Sequence, residues 1–335
     1  MKKLALKLSL LACLILVFML SACDEPTAVI EQPTEATETV DDVPEVPEIP
    51  SERPDIQGNM HRIEANGNTA YIFGSMHYGR PNWYPLNSEV ESAMRRADIF
   101  VFETDLAEME SPEALSAAVE HMFLPDDMTL ADFLPEDIYL EFVANIATFE
   151  TVSYEMVSTM TPMTISFLTG AEVVVLQDLD STYGVDFYIM NFAEENNKPI
   201  MGLNDAATEF YLVLNAPDDV QIATAAAFTD RATAIQAVDD IQLVDIYEAN
   251  DMEGFFELRL AMHGDDLLSQ FALERQVHAR CRIFADEIAR LLNETEEPTT
   301  FFITVGMLHV TGGDVDTNVL SLLRDKGFDT VSVFE

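Results

Sequence analysis

The alternation of apolar and polar positions in the chain first predicts a β-hairpin. His61 to Glu64 and Thr69 to Phe73 have the composition of strands, and Asn66-Gly67-Asn68 supplies a turn between them. Ile99 to Phe102 is a short and wholly apolar run, which predicts a buried strand. We predict these further elements: a helix from Asn87 to Arg96 with Asn87 or Ser88 as its cap, a strand from Pro199 to Gly202, a strand from Phe301 to Val305, a helix from Asp316 to Lys326 and a strand from Thr330 to Phe334.

Between these end segments the pattern is mostly helical. Apolar residues recur at helical spacing over most of 111–167, 184–196 and 218–293. The strands therefore cluster at the two ends of the folded part, with a long helical section between them. This arrangement predicts an α/β (α+β) fold, in which a mixed central sheet is built from N- and C-terminal strands and covered by helices.

The N-terminal segment has a different pattern, that of a secretion signal. Lys2, Lys3 and Lys7 precede an apolar run from about Leu8 to Leu20, which is shorter than the roughly 20 residues of a spanning helix. The tetrapeptide ending at Cys23, Leu-Ser-Ala-Cys, resembles the lipobox of bacterial lipoproteins, in which the cysteine is lipidated. An uncleaved anchor and an ordinary signal peptide are the alternatives. We expect a protein held at the cell membrane by a lipid on Cys23 and facing outside the cytoplasm.

Residues 24–55 differ in composition from both neighbours. They hold 11 acidic residues, one basic residue and six prolines, a composition too polar to form a packed core. We interpret this stretch as a tether, and a recognition segment for a partner is the alternative. The expected organisation is a signal peptide (1–22), a lipidated cysteine with an acidic, proline-rich tether (23–55) and a folded domain (56–335).

The charge of the chain excludes one class of partner. The sequence has 60 acidic and 17 basic residues, a net charge of −43, and removal of the signal with its three lysines changes this to −46. Because binding to nucleic acid requires Lys and Arg at the phosphates, we expect no nucleic-acid partner. The acidity itself is explained by solubility or by salty or acidic surroundings. With Cys23 lipidated, only Cys281 remains after cleavage, so no disulfide within the chain is expected.

Two predicted strands end in the same pattern, a glycine followed three residues later by a histidine. These are Gly74-Ser75-Met76-His77 and Gly306-Met307-Leu308-His309, in a chain with six histidines. Loops at strand ends commonly hold ligands, and neutral imidazole binds transition metals. Glu103 directly follows another buried strand, and two histidines with a carboxylate suit a catalytic divalent ion. The alternative is that both histidines cap strand ends and that Glu103 is one more surface acid.

Taken together, these motifs resemble those of the TraB/PrgY/GumN family, over essentially all of residues 59–335. That family is similar to the TIKI metalloproteases of animals, which are membrane-tethered and extracellular. The resemblance implies a metal-dependent hydrolase with His77, His309 and Glu103 at the active site and Arg280 beside them. It favours Mn²⁺ or Co²⁺, with Zn²⁺ possible. The matching segments are Gly74–His77, Glu103, Tyr183-Gly184-Val185-Asp186, Pro199-Ile200-Met201-Gly202-Leu203 and Gly306–His309.

The chain also departs from the family pattern. Where many relatives have Gly-Leu-Glu-Thr, it has Gly-Leu-Asn204-Asp205, so a carboxylate is lost or displaced by one position. Asp205 is a candidate replacement, although adjacent positions usually point their side chains in different directions. Cys281 stands where relatives often have Asn. Asp186 is either a helix cap or a site residue.

The resulting hypothesis is metal-assisted hydrolysis of peptides or exported proteins. His77 and His309 hold a divalent ion, Glu103 is a ligand or the general base, and Arg280 stabilises the oxyanion or orients the carboxylate. One alternative is a tethered peptide-binding protein that sequesters a signal without catalysis, and another is a structural lipoprotein whose chemistry has decayed. The sequence leaves the oligomeric state open.

Overall fold

The computed structural model describes residues 53–109, 111–125, 128–175, 179–239, 242–312 and 317–334. The predicted signal peptide, Cys23 and all but the last three residues of the predicted tether lie outside these ranges. The first buried core residue is Ile56, whose carbonyl accepts a hydrogen bond from the Asn87 N–H.

Six strands form one mixed sheet in the order β4-β3-β5-β2-β1-β6. The four strands β2, β5, β3 and β4 are parallel neighbours, whereas β1 pairs antiparallel with β2 and with β6. The strands are β1 (His61–Ala65), β2 (Asn68–Ser75), β3 (Ile99–Thr104), β4 (Ile200–Asn204), β5 (Thr300–Gly306) and β6 (Val331–Ser332). Because the parallel strands share one direction, their carboxyl ends all lie at the same edge of the sheet.

Helices surround this sheet and fill the middle of the chain. They are α1 (Ser88–Arg96), α2 (Leu106–Met109), α3 (Pro112–Met122), α4 (Leu130–Phe133), α5 (Glu136–Ile146), α6 (Tyr154–Val157), α7 (Pro162–Val175), α8 (Val185–Glu195), α9 (Ala206–Leu214), α10 (Asp218–Ala227), α11 (Arg231–Asp239), α12 (Leu243–Glu248), α13 (Met252–Ala261), α14 (Leu267–Phe271), α15 (Arg280–Glu294), α16 (Met307–Val310) and α17 (Val319–Asp325). Single 3-10 turns lie at Pro81–Trp83 and Ser181–Tyr183.

The predicted fold class is confirmed, since the sheet combines strands from both ends of the chain and carries helices around it. The cap of α1 is also as predicted, because the Asn87 side chain accepts from the Glu89 N–H. Four strand predictions were wrong by two residues at the carboxyl end. β2 and β3 continue two residues beyond Phe73 and Phe102. β4 continues two residues beyond Gly202, and β6 holds only Val331–Ser332.

The long helical stretches of the prediction are divided into many short helices. Prolines account for several of the divisions, because proline lacks an N–H and is tolerated only at a helix start. Pro112 and Pro162 are the first residues of α3 and α7, and Pro135 and Pro217 directly precede α5 and α10. The spacing of apolar residues alone does not show these breaks.

The apolar core covers both faces of the parallel strands. Residues such as Ile72, Phe100 and Ile303 are fully buried, as expected for strands covered by helices on each side. The helical middle has a core of its own, in which Phe142 and Ile165 are fully buried. Among the described residues, no helix combines the length and the apolar character that crossing a bilayer requires.

Helices α14 and α15 are continuous through a π-helical segment, Ala272–Ala279. The segment contacts α9, and α15 contacts β4. Arg280 is the first residue after the π-helical turns, and it is buried. Such turns occur often at functional sites, because they change the direction in which the following side chains point.

Candidate active site

The predicted site residues lie at the carboxyl edge of the parallel sheet. β2 ends at Ser75 two residues before His77, and β5 ends at Gly306, where the short helix α16 with His309 begins. Glu103 is the penultimate residue of β3, which pairs with β5 on the side away from β2. This is the edge at which open parallel sheets bind their ligands.

Three of these residues converge on Gly306. A Cβ atom at Gly306 would lie 3.3 Å from Glu103 Oε1, 3.7 Å from His309 Cδ2 and 3.9 Å from His77 Nε2. The Gly306 N–H also donates to Glu103 Oε1 at 2.7 Å. The absence of a side chain at Gly306 therefore leaves a small space that two imidazoles and a carboxylate share.

Asp186 orients His77. In the first turn of α8, its Oδ2 lies 2.9 Å from His77 Nδ1, and its Oδ1 accepts from the Ser75 hydroxyl at 2.6 Å. Burial lowers the pKa of His77, but the Asp186 carboxylate more than offsets this and raises it above the usual value. The contact at Nδ1 leaves Nε2 as the nitrogen facing Gly306. Asp186 thus contacts a site residue and is more than a helix cap.

Glu103 is held as a carboxylate. Burial acts to raise its pKa, but the Arg280 guanidinium, both histidines and the Gly306 N–H bring the pKa below the usual value. Arg280 Nη2 donates to Glu103 Oε2, and Arg280 Nη1 lies 3.2 Å from His309 Nε2. The structure therefore places Arg280 in direct contact with two of the predicted metal ligands.

His309 is neutral at physiological pH. Burial and the neighbouring Arg280 guanidinium lower its pKa to about 3. Its Nδ1 lies 3.1 Å from Cys281 Sγ, and the Phe284 ring packs edge-on against the imidazole. Cys281, which departs from the family pattern, is thus a direct neighbour of His309.

The sequence analysis missed one site residue, Glu209 on α9. It is fully buried and pairs with Arg280, with 2.8 Å from Oε1 to Nη2 and 3.2 Å from Oε2 to Nε. Asn204 donates to Glu209 Oε2 at 2.9 Å. One signal was present in the sequence, because Glu209 is the only charged residue in the apolar stretch Ala206–Leu214.

Asp205, the predicted replacement carboxylate, is the N-cap of α9 in the structure. Its carboxylate caps α9 by accepting from the Thr208 N–H at 2.8 Å and from the Thr208 hydroxyl at 2.7 Å, and its side chain is exposed. The carboxylate near Asn204 comes from Glu209 rather than from Asp205. A residue five positions after Asn204 thus supplies the charge, because α9 folds back toward the end of β4.

The donor set can be compared with what a divalent ion requires. Two imidazoles and a carboxylate around one small space match the preferences of a transition-metal ion for N and O ligands. Within the described ranges, however, no three His, Cys, Asp or Glu side chains are arranged to ligate an ion as they stand. Arg280 Nη1 contacts His309 Nε2, so this contact would have to change before His309 bound an ion through Nε2. Arg280 contacts Glu103 at Oε2 and leaves Oε1 facing Gly306.

The fold and site define an α/β protein with a buried cluster of histidines, carboxylates and an arginine at the end of its parallel strands. The chain belongs to the TraB/PrgY/gumN family, whose model matches residues 59–331. It is similar to the uncharacterized protein YbaP of Shigella flexneri, with 23% identity over 163 residues, 49% of this chain and 55% of the relative. YbaP of Escherichia coli is 24% identical over 148 residues, 44% of this chain and 53% of the relative.

The matched segments therefore cover about half the length of these curated relatives. No solved structure shows a significant match to the chain.

Proposed function

We propose that this protein is a lipid-anchored, extracytoplasmic metal-dependent hydrolase, a peptidase that acts on peptides or exported proteins. The observation that carries the proposal is the convergence of His77 Nε2, His309 and Glu103 Oε1 on the space at Gly306. The resemblance to TIKI proteases supports the reaction class and favours Mn²⁺ or Co²⁺, with Zn²⁺ as a further candidate. The lipobox-like tetrapeptide ending at Cys23 supports the anchor.

Each residue has a role that its contacts support. His77, His309 and Glu103 would hold the ion, and Asp186 keeps the His77 ring oriented through Nδ1. A bound divalent ion supplies a Lewis acid that polarises a scissile carbonyl and activates water for attack. Glu103, if it is not a ligand, accepts the proton as general base. Arg280 orients the Glu103 carboxylate and offers positive charge where an oxyanion develops.

The test measures metal content and peptide cleavage together. The full-length chain is purified in detergent, its bound metal is quantified, and it is incubated with a peptide library with and without chelator. We expect cleavage that chelator abolishes and that Mn²⁺ or Co²⁺ restores. His309→Gln should lose both bound metal and cleavage, whereas the matched control His121→Gln, on α3, should retain both. Unchanged metal content and cleavage in His309→Gln would overturn the assignment.

One observation favours a second candidate, a tethered protein that binds peptides without cutting them. Arg280 contacts Glu103 and His309, and the described residues hold no ready-made set of three ligands. Such a protein would deplete peptides from solution, return them intact on denaturation and be insensitive to chelator. The same incubation therefore separates the two candidates.

A further inference from the structure

Arg280 is shared between two buried carboxylates. Its side chain is 1% exposed, that of Glu209 is fully buried, and Glu103 is 9% exposed as a residue. Glu209 contacts the guanidinium along the edge formed by Nε and Nη2, while Glu103 contacts Nη2 and His309 contacts Nη1. The arginine thus bridges the predicted ligands on one side and Glu209 on the other.

The bridge has a consequence for ion binding. An ion bound by Glu103 Oε1 and His309 would displace the contact between Arg280 Nη1 and His309 Nε2. It would also share the charge of the Glu103 carboxylate and add positive charge beside the guanidinium. A buried guanidinium without a carboxylate partner is strongly unfavourable, because the charge is removed from water without compensation. Arg280 can remain buried beside a bound ion only if another carboxylate stays with it, and Glu209 already contacts it.

We propose that Glu209 is the positioning residue that retains Arg280 while Glu103 and His309 are committed to the ion. The proposal rests on the metal-binding function proposed above. Asn204 supports this role of Glu209, because its amide donates to Glu209 Oε2 and fixes the carboxylate at the end of β4. Glu209 therefore acts on ion binding through Arg280, without being a ligand itself.

Three variants test this with ion affinity as the readout. Glu209→Gln keeps the shape of the side chain and removes its charge. The double variant Asn204→Asp with Glu209→Gln exchanges amide and carboxylate between two side chains that already contact each other, so the charge returns close to Arg280. The matched control is Glu172→Gln on α7, because Glu172 is also a buried carboxylate paired with an arginine, Arg231. It lies beside Val173, a residue of the separate core of the helical middle.

The metal-free, full-length protein in detergent is titrated calorimetrically with Mn²⁺, Co²⁺ and Zn²⁺. We expect Glu209→Gln to weaken binding by at least about tenfold, the usual effect of removing a partner behind the ligands. The double variant should recover most of the affinity, and Glu172→Gln should bind as the wild type does. If Glu209→Gln does not fold, Glu209→Asp replaces it, since it keeps the charge one methylene further from Arg280, and weaker binding is again expected.

The outcomes separate this proposal from the function on which it rests. Wild-type protein that binds none of the three ions would overturn both. Tight binding by the wild type and equal binding by Glu209→Gln would overturn the role of Glu209 and leave the metal site standing. Equal loss of ion affinity in Glu209→Gln and Glu172→Gln would show only a loosened fold. A double variant that binds ions as weakly as Glu209→Gln would show the same. Either result would overturn the proposal.

Discussion

His77 Nδ1 lies 2.9 Å from Asp186 Oδ2, and this contact joins the end of β2 to the first turn of α8. A carboxylate behind a histidine fixes the ring and its tautomer, and it makes the other nitrogen a stronger ligand. Asp186→Asn should therefore weaken ion binding by about tenfold, and Asp186→Ala by up to about a hundredfold. Titration of the metal-free protein measures both, and Ser75→Ala, which removes only the second contact to Asp186, serves as a mild control. Full affinity in Asp186→Ala would contradict the role of this pair.

Gly306→Ala offers a test of the space at the centre of the site. The residue has φ −55° and ψ 142°, which alanine adopts without strain, so the free energy of unfolding should stay within about 1 kcal/mol of the wild type. The added methyl group would stand 3.3 Å from Glu103 Oε1 and close to both histidines. We expect a folded protein with severely reduced ion binding and cleavage. Chemical denaturation checks the fold. Wild-type ion affinity in the variant would show that the ion binds away from the space at Gly306.

His61 makes the fold sensitive to acid. Burial, assisted by Arg324, lowers its pKa from 6.5 to about 4. Between these values the unfolded chain binds a proton that the folded chain does not, so the contribution to stability is complete above pH 6.5 and is lost as the pH falls toward 4. The full shift corresponds to at most about 3 kcal/mol, and partial exposure reduces it.

The measurement for His61 is the free energy of unfolding of His61→Gln and wild type from pH 8 to pH 4. The difference at pH 8 is the reference, because His61 is neutral there in both the folded and unfolded chains. The variant should lose less stability than the wild type on acidification. Parallel curves over the whole range would contradict the prediction.

Cys23 provides a test of the anchor that is independent of the site. We expect the chain expressed in a bacterium to incorporate labelled fatty acid and to fractionate with membranes. Cys23→Ala should abolish the label, whereas Cys13→Ala, within the predicted signal, should keep it. Labelling that survives Cys23→Ala would show that a residue other than Cys23 carries the lipid, which would contradict the prediction.

The convergence of His77, Glu103 and His309 follows from the sequence because parallel strands end at one edge. Glu103 lies in the last two residues of β3, and His77 and His309 follow β2 and β5 by two and three residues. The sheet then brings these strand ends together. Asp186 was a candidate only through the family resemblance, because no local pattern shows that α8 begins beside β2.

Glu209 was not predicted because its charged partner, Arg280, is distant in the chain. Its contact with Arg280 depends on how α9 packs against the π-helical segment, which neither helical periodicity nor a motif specifies. The family resemblance implies a carboxylate that is lost at position 204 or displaced to Asp205. In three dimensions the carboxylate beside Asn204 is that of Glu209, one turn into the next helix, and Asn204 donates to it.

The π-helical segment before Arg280 sets the angle about the helix axis between the side chains of α14 and those of α15. A π-helical turn holds more residues than an α-helical turn, so the eight residues Ala272–Ala279 advance through a smaller angle than the same number of residues in an α-helix would. With regular α-helical turns of the same length in this place, Arg280 would point in a different direction relative to α14, and the face of α15 that covers the sheet would turn with it. The hydrogen-bonding pattern of this segment, as well as the residues of the site themselves, therefore determines where the Arg280 guanidinium lies.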